Sequence, residues 1–188
     1  IRVTPLERGA GYEFINSIKG GVIPGKFVPS VDRGIQEAAE KGVLAGYPVV
    51  DFSAEVFDGS YHSVDSSDIA FKIAGAVAFR AIAEAAAPRL LEPILEVRVA
   101  TPEEYMGDVM GDINQRRGRV MGMDSAEGRA TITAQIPEAE LFRYASALRA
   151  MTQGRAHHTR RFLGYEFVPE AEAQKIISAR QEELAPAT

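Results

Sequence analysis

Cysteine is absent from this chain of 188 residues. That excludes disulfides and thiolate metal sites, and it fits a reducing compartment. No apolar run approaches the roughly 20 residues a membrane-spanning helix needs, and no signal-peptide pattern opens the sequence. A cytoplasmic protein without membrane contact is therefore expected. An excess of positive charge is also missing. The formal net charge is -5, with 9 Lys and Arg against 11 Asp and Glu in residues 1–90 and 12 against 15 in 91–188. Neither half is a basic tail or a bulk polyanion binder, so any contact with nucleic acid must come from local patches. Internal repeats and low-complexity segments are lacking as well.

What is present is ordinary for a folded protein: 46% hydrophobic and 25% charged residues, enough for a packed core. The length suits one large domain or two small ones. The opening "IRVTPLERG" begins on Ile1 rather than Met, and a piece of a longer polypeptide is expected.

Patterning divides the chain near "AAPRLLEP", residues 86–93. In the first half "GYEFINSI" alternates as a strand does. "PVVDFSAEVFDG" sets Val50, Phe52, Ala54 and Val56 against Asp51, Ser53 and Glu55, as on a half-buried strand. "SVDRGIQEAAEKG" places Val31, Ile35, Ala38 and Ala39 on one helical face, stopped by Gly42. A second helix is predicted from an Asp65 cap, with Asp68 in its first turn and Ile69, Ile73, Val77 and Ile82 buried, ending before Pro88. The first half reads as two helices against a sheet.

The second half alternates Leu95, Val97 and Val99 against Glu96 and Arg98. A capping box of Thr101, Pro102 and Glu104 then opens a helix with Met106, Val109, Met110 and Ile113 on its apolar face. Gly107 and Gly111 are expected to bring that helix close to the sheet, and Gly118 to end it. "RVMGM" and "RATITAQI" follow as strands joined by the turn "DSAEG". Pro137 opens a helix carrying Leu141, Tyr144, Ala145, Leu148 and Met151, stopped by Gly154, and "RRFLGYEFV" is the last strand. The order β-α-β-β-α-β is that of a ferredoxin-like domain. A terminal helix, "PEAEAQKIISARQEEL", has a short stripe at Ile176, Ile177 and Leu184 and is expected to dock on the body.

Three segments are candidates for function. "GGVIPGKF", Gly20 to Phe27, nearly matches the phosphate-cradling pattern G-x-x-x-x-G-K-[ST]. Pro24 has no N–H to offer a phosphate, Phe27 has no hydroxyl for magnesium, and Pro29 is expected to block a helix running on from Lys26. A glycine-proline connection presenting Val22, Ile23, Phe27 and one positive charge fits better than a nucleotide site. "DGSYHSVDSSD" places His62 near Asp58 and Asp65. An acid/base dyad is conceivable there, but no nucleophile accompanies it at a matching spacing, and a surface histidine at a strand-to-helix turn is the plainer reading. "RAHHTRRF" holds Arg155, His157, His158, Arg160 and Arg161. Adjacent histidines on a strand point to opposite faces and make a poor metal site, so a basic rim is favoured, with phosphate binding and simple solvation equally open. Arg116, Arg117, Arg119 and Arg129 add a second basic patch.

"GYEFINSIKGGVIPGKFVPSV", "SYHSVDSSDIAFKIA", "TPEEYMGDVMGDINQRRG" and "ASALRAMTQGRA" together resemble the C-terminal part of bacterial-type elongation factor G, in order and over nearly the whole chain. The resemblance implies an α+β fold in two domains. Residues 1–90 are similar to domain IV, elongated and shaped like part of a transfer RNA, with a left-handed βαβ crossover. Residues 91–168 are similar to domain V, ferredoxin-like, and residues 169–188 form a helix and tail packing back on the body. It implies a monomeric, ribosome-binding module without catalytic or metal residues of its own. The GTPase domain, with its GTP and magnesium, would lie upstream.

The resemblance also assigns the tip of domain IV to Gly20, Gly21, Val22, Ile23, Pro24, Gly25 and Lys26 together with Asp58, Gly59, Ser60, Tyr61 and His62. Those loops would contact the tRNA–mRNA duplex in the decoding region of the small subunit, with Lys26 and His62 touching phosphate or sugar. Arg116, Arg117, Arg155, Arg160 and Arg161 become candidate contacts to large-subunit RNA, namely the sarcin–ricin loop and stalk base. The stretch "AHHTRRFLGYEFVP" departs from the small, apolar strand usual in the family and suggests a paralogue. A ribosome-recycling or ribosome-protection relative would share the architecture; an active-site enzyme and a non-ribosomal protein-interaction module are the competing classes.

Overall fold

The computed structural model describes residues 1–184. Two compact units emerge: Ile1–Leu90 joined by the chain from Pro169 onward, and Leu91–Val168. Each carries its own sheet.

In the first unit β1 (Arg2–Pro5), β2 (Tyr12–Asn16) and β3 (Phe52–Val56) form a sheet in the order β1-β3-β2. β1 was not expected from the sequence; four residues ending in proline give almost no alternation. It runs antiparallel to β3, while β2 runs parallel to β3 with Phe14 opposite Ala54. The central position of β3 corrects the expectation of a half-buried strand. Phe52, Ser53, Ala54 and Val56 are all buried, residues of both faces of the central strand, while Val50 lies outside it and is exposed.

A crossover helix, α1 (Val28–Lys41), joins the parallel pair. Its predicted face is correct: Val31, Ile35, Ala38 and Ala39 are buried, and Gly42 follows its last residue. Pro29 does not block it. The chain winds through a 3-10 turn, Gly25–Phe27, straight into α1, and Pro29 occupies the first helical turn, where an N–H has no intrahelical partner to lose.

The second helix, α2 (Asp68–Ala85), is capped by Ser67, whose Oγ accepts from the Ala70 N–H at 3.1 Å, rather than by Asp65. Its buried face is also not the expected one. Phe71, Gly75, Phe79 and Ala83 face the core, whereas Ile69, Ile73 and Val77 are 70%, 57% and 58% exposed. Both sets repeat every four residues, so periodicity alone cannot choose between them. Glycine decides the packing: a Cβ on Gly34 of α1 would stand 2.0 Å from the Lys72 carbonyl oxygen, and one on Gly75 2.5 Å from that of Val31. The two backbones touch where neither has a side chain.

The second unit reads β4 (Leu91–Pro102), α3 (Met106–Gln115), β5 (Arg119–Ala126), β6 (Arg129–Pro137), α4 (Tyr144–Met151) and β7 (His157–Phe167). The sheet is antiparallel in the order β5-β6-β4-β7, the ferredoxin-like arrangement expected. Leu95, Val97, Val99, Val109, Ile113, Ile132, Ala134, Ile136, Tyr144 and Leu148 build its core.

Local details differ from the sequence reading. Thr101 is a buried β4 residue with no hydrogen bond from its hydroxyl, so no capping box forms, and a 3-10 turn, Glu103–Tyr105, leads into α3. Gly107 and Gly111 face open space; Gly118 makes the close approach instead, where a Cβ would lie 2.6 Å from Ile113 Cγ2. The β5–β6 turn is only Glu127-Gly128, with φ of 54° and 76°, as a two-residue hairpin requires. The helix after Pro137 breaks at Phe142–Arg143, leaving a 3-10 turn at Glu138–Leu141 and a short α4. A final helix, α5 (Glu170–Leu184), follows, with Ala173 buried, Ile176 and Ile177 half-buried and Arg180 beside Gly46; the Leu184 side chain lies outside the described residues.

Candidate nucleic-acid interface

Parallel neighbours send their following loops out at the same end of the sheet. β2 and β3 are such neighbours, so the segment after Asn16 and the segment after Val56 emerge side by side. Ser17 donates its N–H to the Val56 carbonyl at 2.8 Å, tying the two exits together.

The first loop turns at Gly20 and Gly21, whose φ of 67° and 69° suit residues lacking a Cβ. Val22 is exposed and Ile23 turns inward to 5% exposure. Pro24 offers its carbonyl to the Phe27 N–H at 2.9 Å, closing the 3-10 turn. That N–H is therefore spent, and Pro24 itself has none, so the loop lacks the run of inward N–H groups that would cradle phosphate. Phe27, standing where a phosphate loop has a hydroxyl, is 4% exposed and stacks on Phe71 of α2 at 4.8 Å. Gly25 and Lys26 remain exposed, with Lys26 Nζ 4.7 Å from the centroid of the Phe27 ring.

The second loop leans on the first. A Cβ on Gly59 would meet Ile23 Cδ1 at 2.5 Å, and the Tyr61 ring lies 5.9 Å from that of Phe27. Asp58 accepts from the Gly59 N–H at 2.8 Å. The backbone of His62 is fixed by Ser66, whose Oγ accepts from the His62 N–H at 3.0 Å, and its carbonyl accepts from the N–H groups of Asp65 and Ser66. Asp58, Ser60, Tyr61, His62 and Asp65 are all exposed. Behind the loops Ser30 of α1, 1% exposed, donates its hydroxyl to Asp68 of α2 at 2.7 Å, joining the first turns of both helices. The residues predicted for the loops thus come together. The sequence reading missed what joins them: Ile23 against Gly59, Phe27 against Tyr61 and Phe71, and Ser30 to Asp68. An apolar residue in place of the phosphate loop's hydroxyl was the signal available.

The Asp58 carboxylate holds its neighbour's N–H, and the side chains of His62, Asp58 and Asp65 are open to water rather than shielded from it. Among the described residues no group of three or more His, Asp or Glu is placed to hold a metal ion, and no helix is long and apolar enough to cross a membrane.

The arginines of the second unit separate into two kinds. Arg116 is committed inward: Nε to Asp112 at 2.8 Å, Nη1 to the Glu140 carbonyl at 2.6 Å, and the guanidinium 5.0 Å from the Tyr144 ring centroid. Arg117 forks onto Glu92 at 2.7 and 2.8 Å and binds Glu140 at 2.8 Å. Two of the five guanidinium donors of Arg116 and three of those of Arg117 are thus engaged within the protein. Arg155 is exposed, binding Glu104 at 2.8 Å and the Tyr105 hydroxyl. Arg160 and Arg161 are exposed on β7, Arg161 reaching Glu96 at 3.2 Å. The two histidines diverge as predicted: His157 is exposed, whereas His158 meets the Tyr144 ring edge-on at 4.9 Å.

Fold and loops together define a pair of α+β domains of the kind found in translation factors, and known proteins make this specific. Residues 1–87 match the family described as elongation factor G, domain IV, and residues 89–176 the family described as elongation factor G C-terminus. An elongation factor G from Aquifex pyrophilus is 55% identical over 180 residues, covering 96% of this chain and 26% of that protein. A crystal structure of a protein from Thermus thermophilus superposes with a TM-score of 0.82 at 44% identity, over 96% of this chain and 27% of that one. The chain belongs to the elongation factor G family, as its domain IV and C-terminal domain, and spans about a quarter of the length of the relatives it matches.

Proposed function

We propose that the chain is the ribosome-engaging part of a cytoplasmic translational GTPase that promotes movement of tRNA and mRNA during elongation. GTP and magnesium are used by a domain upstream, and this part does no chemistry. The paired loops act as a stiff prong. Lys26 and His62 meet phosphate or sugar of the tRNA–mRNA duplex in the small-subunit decoding region, and Pro24 with the buried Ile23 and Phe27 keeps the prong from yielding. The second unit faces large-subunit RNA at the sarcin–ricin loop and stalk base through exposed arginines such as Arg155, Arg160 and Arg161. The factor works as a monomer.

The observation that carries this reading is the seating of Ile23 against Gly59, which makes two separate loops one exposed feature. An acidic chain suits it, because RNA is recognised by shape and a few backbone contacts, with affinity that falls as salt rises. The test is single-round translocation with the full-length protein. His62→Ala and Lys26→Ala should each slow it while leaving unfolding curves unchanged; unaltered rates in both argue against the reading. Calorimetric titration of this chain with GTP should give no heat, and binding at Gly20–Lys26 would overturn it.

The basic stretch from Arg155 to Arg161 favours a second reading, a paralogue that acts in ribosome recycling or protection. Cell-free elongation driven by the full-length protein alone separates the two.

A further inference from the structure

The face of the second sheet opposite α3 and α4 carries charge where a covering helix would need apolar side chains. Glu96 and Arg98 of β4 point to this face, alternating with the buried Val97 and Val99. Across the strand pair Glu96 stands opposite Arg161, and Arg98 opposite Thr159. Together with Arg160 these residues line a cleft of about 200 Å³.

The geometry inside it is particular. Arg98 Nε binds Glu96 Oε1 at 3.2 Å and Arg161 Nη2 binds Glu96 Oε2 at 3.2 Å. Two guanidinium groups thus share one carboxylate, each taking a different oxygen through a single contact. A guanidinium has five N–H donors, so most remain unused by Glu96. The side chains of Arg98 and Arg161 are 61% and 66% exposed, against 18% for Glu96, so the unused donors face outward. The two arginines hold the carboxylate below its usual protonation range, and it stays an anion between them. Arginine binds phosphate oxygens with the same N–H donors it turns on a carboxylate, so the two non-bridging oxygens of a phosphodiester fit the places of the two carboxylate oxygens.

We propose that this cleft is a binding site for a backbone phosphate of RNA, held by Arg98 and Arg161 with Thr159 beside them, and that Glu96 is a built-in competitor. Glu96 keeps both arginines splayed in the binding geometry when the cleft is empty and weakens the grip when it is filled. The choice of RNA over other phosphate carriers rests on the ribosome reading above; the site itself does not. The site uses residues of neither paired loop and neither Arg116 nor Arg117.

The experiment uses this chain and a fluorescein-labelled 16-nucleotide RNA hairpin, followed by fluorescence anisotropy at several salt concentrations. Arg98→Ala with Arg161→Ala should weaken binding about tenfold and lower the slope of log K against log salt by roughly one to two. Arg98→Lys with Arg161→Lys should recover only part, because an ammonium lacks the planar fork. Glu96→Gln should tighten binding several-fold, a gain that no folding defect can imitate. Unchanged affinity in the double-alanine and Glu96→Gln variants overturns the proposal, as does equal competition by a poly-glutamate peptide, which would assign the cleft to acidic protein. Co-sedimentation of the same chain with ribosomes keeps the two readings apart. Loss of sedimentation on changing Lys26 and His62, with the hairpin pattern absent, leaves the loops and removes the cleft; the reverse leaves the cleft and removes the ribosome reading.

Discussion

Gly59 lies directly against Ile23: a methyl group on Gly59 would stand 2.5 Å from Ile23 Cδ1 and 2.8 Å from Cγ1. No real pair of non-bonded carbon atoms sits so close, so Gly59→Ala must push Ile23 out of its pocket or the loops apart. The expected loss of stability is about 1–3 kcal/mol. Ile23→Val removes the Cδ1 methyl and should restore part of it, giving a coupling of at least about 0.5 kcal/mol in a double-mutant cycle of urea unfolding. Additive losses would mean that the loops do not touch.

The crossing of α1 and α2 sets a steeper constraint. A Cβ on Gly34 or Gly75 meets carbonyl oxygen at 2.0 or 2.5 Å, and backbone does not rotate aside as a side chain does. Gly34→Ala and Gly75→Ala should each cost at least about 1–3 kcal/mol, seen as a lower Tm of the first unit. Gly111→Ala is the control. It faces open space inside α3, so the gain in helix propensity should stabilise by up to about 1 kcal/mol. Equal losses at all three sites would refute the distinction.

These two constraints also mark where the sequence was legible. Strands with one covered face were readable because β4 alternates Leu95, Val97 and Val99 with charged residues, and α1 because one side of it is polar. α2 was not, since an apolar residue stands on nearly every side. The contact that chose Phe71 and Phe79 over Ile69 and Ile73 is a glycine of another helix 41 residues from Gly75. At the loops, composition excluded a phosphate cradle, but nothing in one strand's exit names its spatial neighbour without the parallel pairing of β2 and β3. Arginines were legible as positive charge only. Whether Arg117 faces water or Glu92 depends on residues 25 positions away.

Arg117→Met should therefore act on stability and not on RNA. It leaves Glu92 and Glu140 without their shared cation. With side chains from 12% to 35% exposed, the loss should fall between the ~1 kcal/mol of surface pairs and the 3–5 kcal/mol of fully buried ones. Urea unfolding measures it, and hairpin affinity below the melting range should be unchanged. A stable variant with weakened RNA binding would place Arg117 at the interface.

Asp51 makes the first unit sensitive to acid. Its carboxylate accepts from the Gly11 N–H at 3.0 Å and pairs with Arg8 at 3.4 Å, and these, the Gly11 bond foremost, hold its pKa below the usual aspartate value. A carboxyl depressed in the folded state adds stability above its unfolded pKa of about 4, and that stability is lost as pH falls through the folded value. Asp51→Asn tolerates the φ of 60° at this position and can still accept from Gly11. The variant should be less stable at pH 7, and the gap to the parent should close below pH 4 in chemical unfolding. A gap that stays constant with pH removes Asp51 as the source.

His158 makes the second unit sensitive near neutrality, with the same sign for a different reason. Its ring meets Tyr144 edge-on at 4.9 Å, with Arg160 and His157 of its own strand and Arg149 of α4 nearby, while Arg116, just after α3, covers Tyr144. Burial first, and then these positive charges, push the imidazole below its ordinary value. Between the unfolded pKa near 6.5 and that lower folded value, the unfolded chain takes up a proton that the folded one refuses. Stability is therefore full above about pH 6.5 and declines as pH drops toward the folded pKa. His158→Phe keeps an aromatic ring against Tyr144 and removes the proton. Unfolding by urea at pH 5, 6, 7 and 8 should show a slope in the parent over the lower half of this range and a flatter line in the variant. Identical slopes in both would place the titrating group elsewhere.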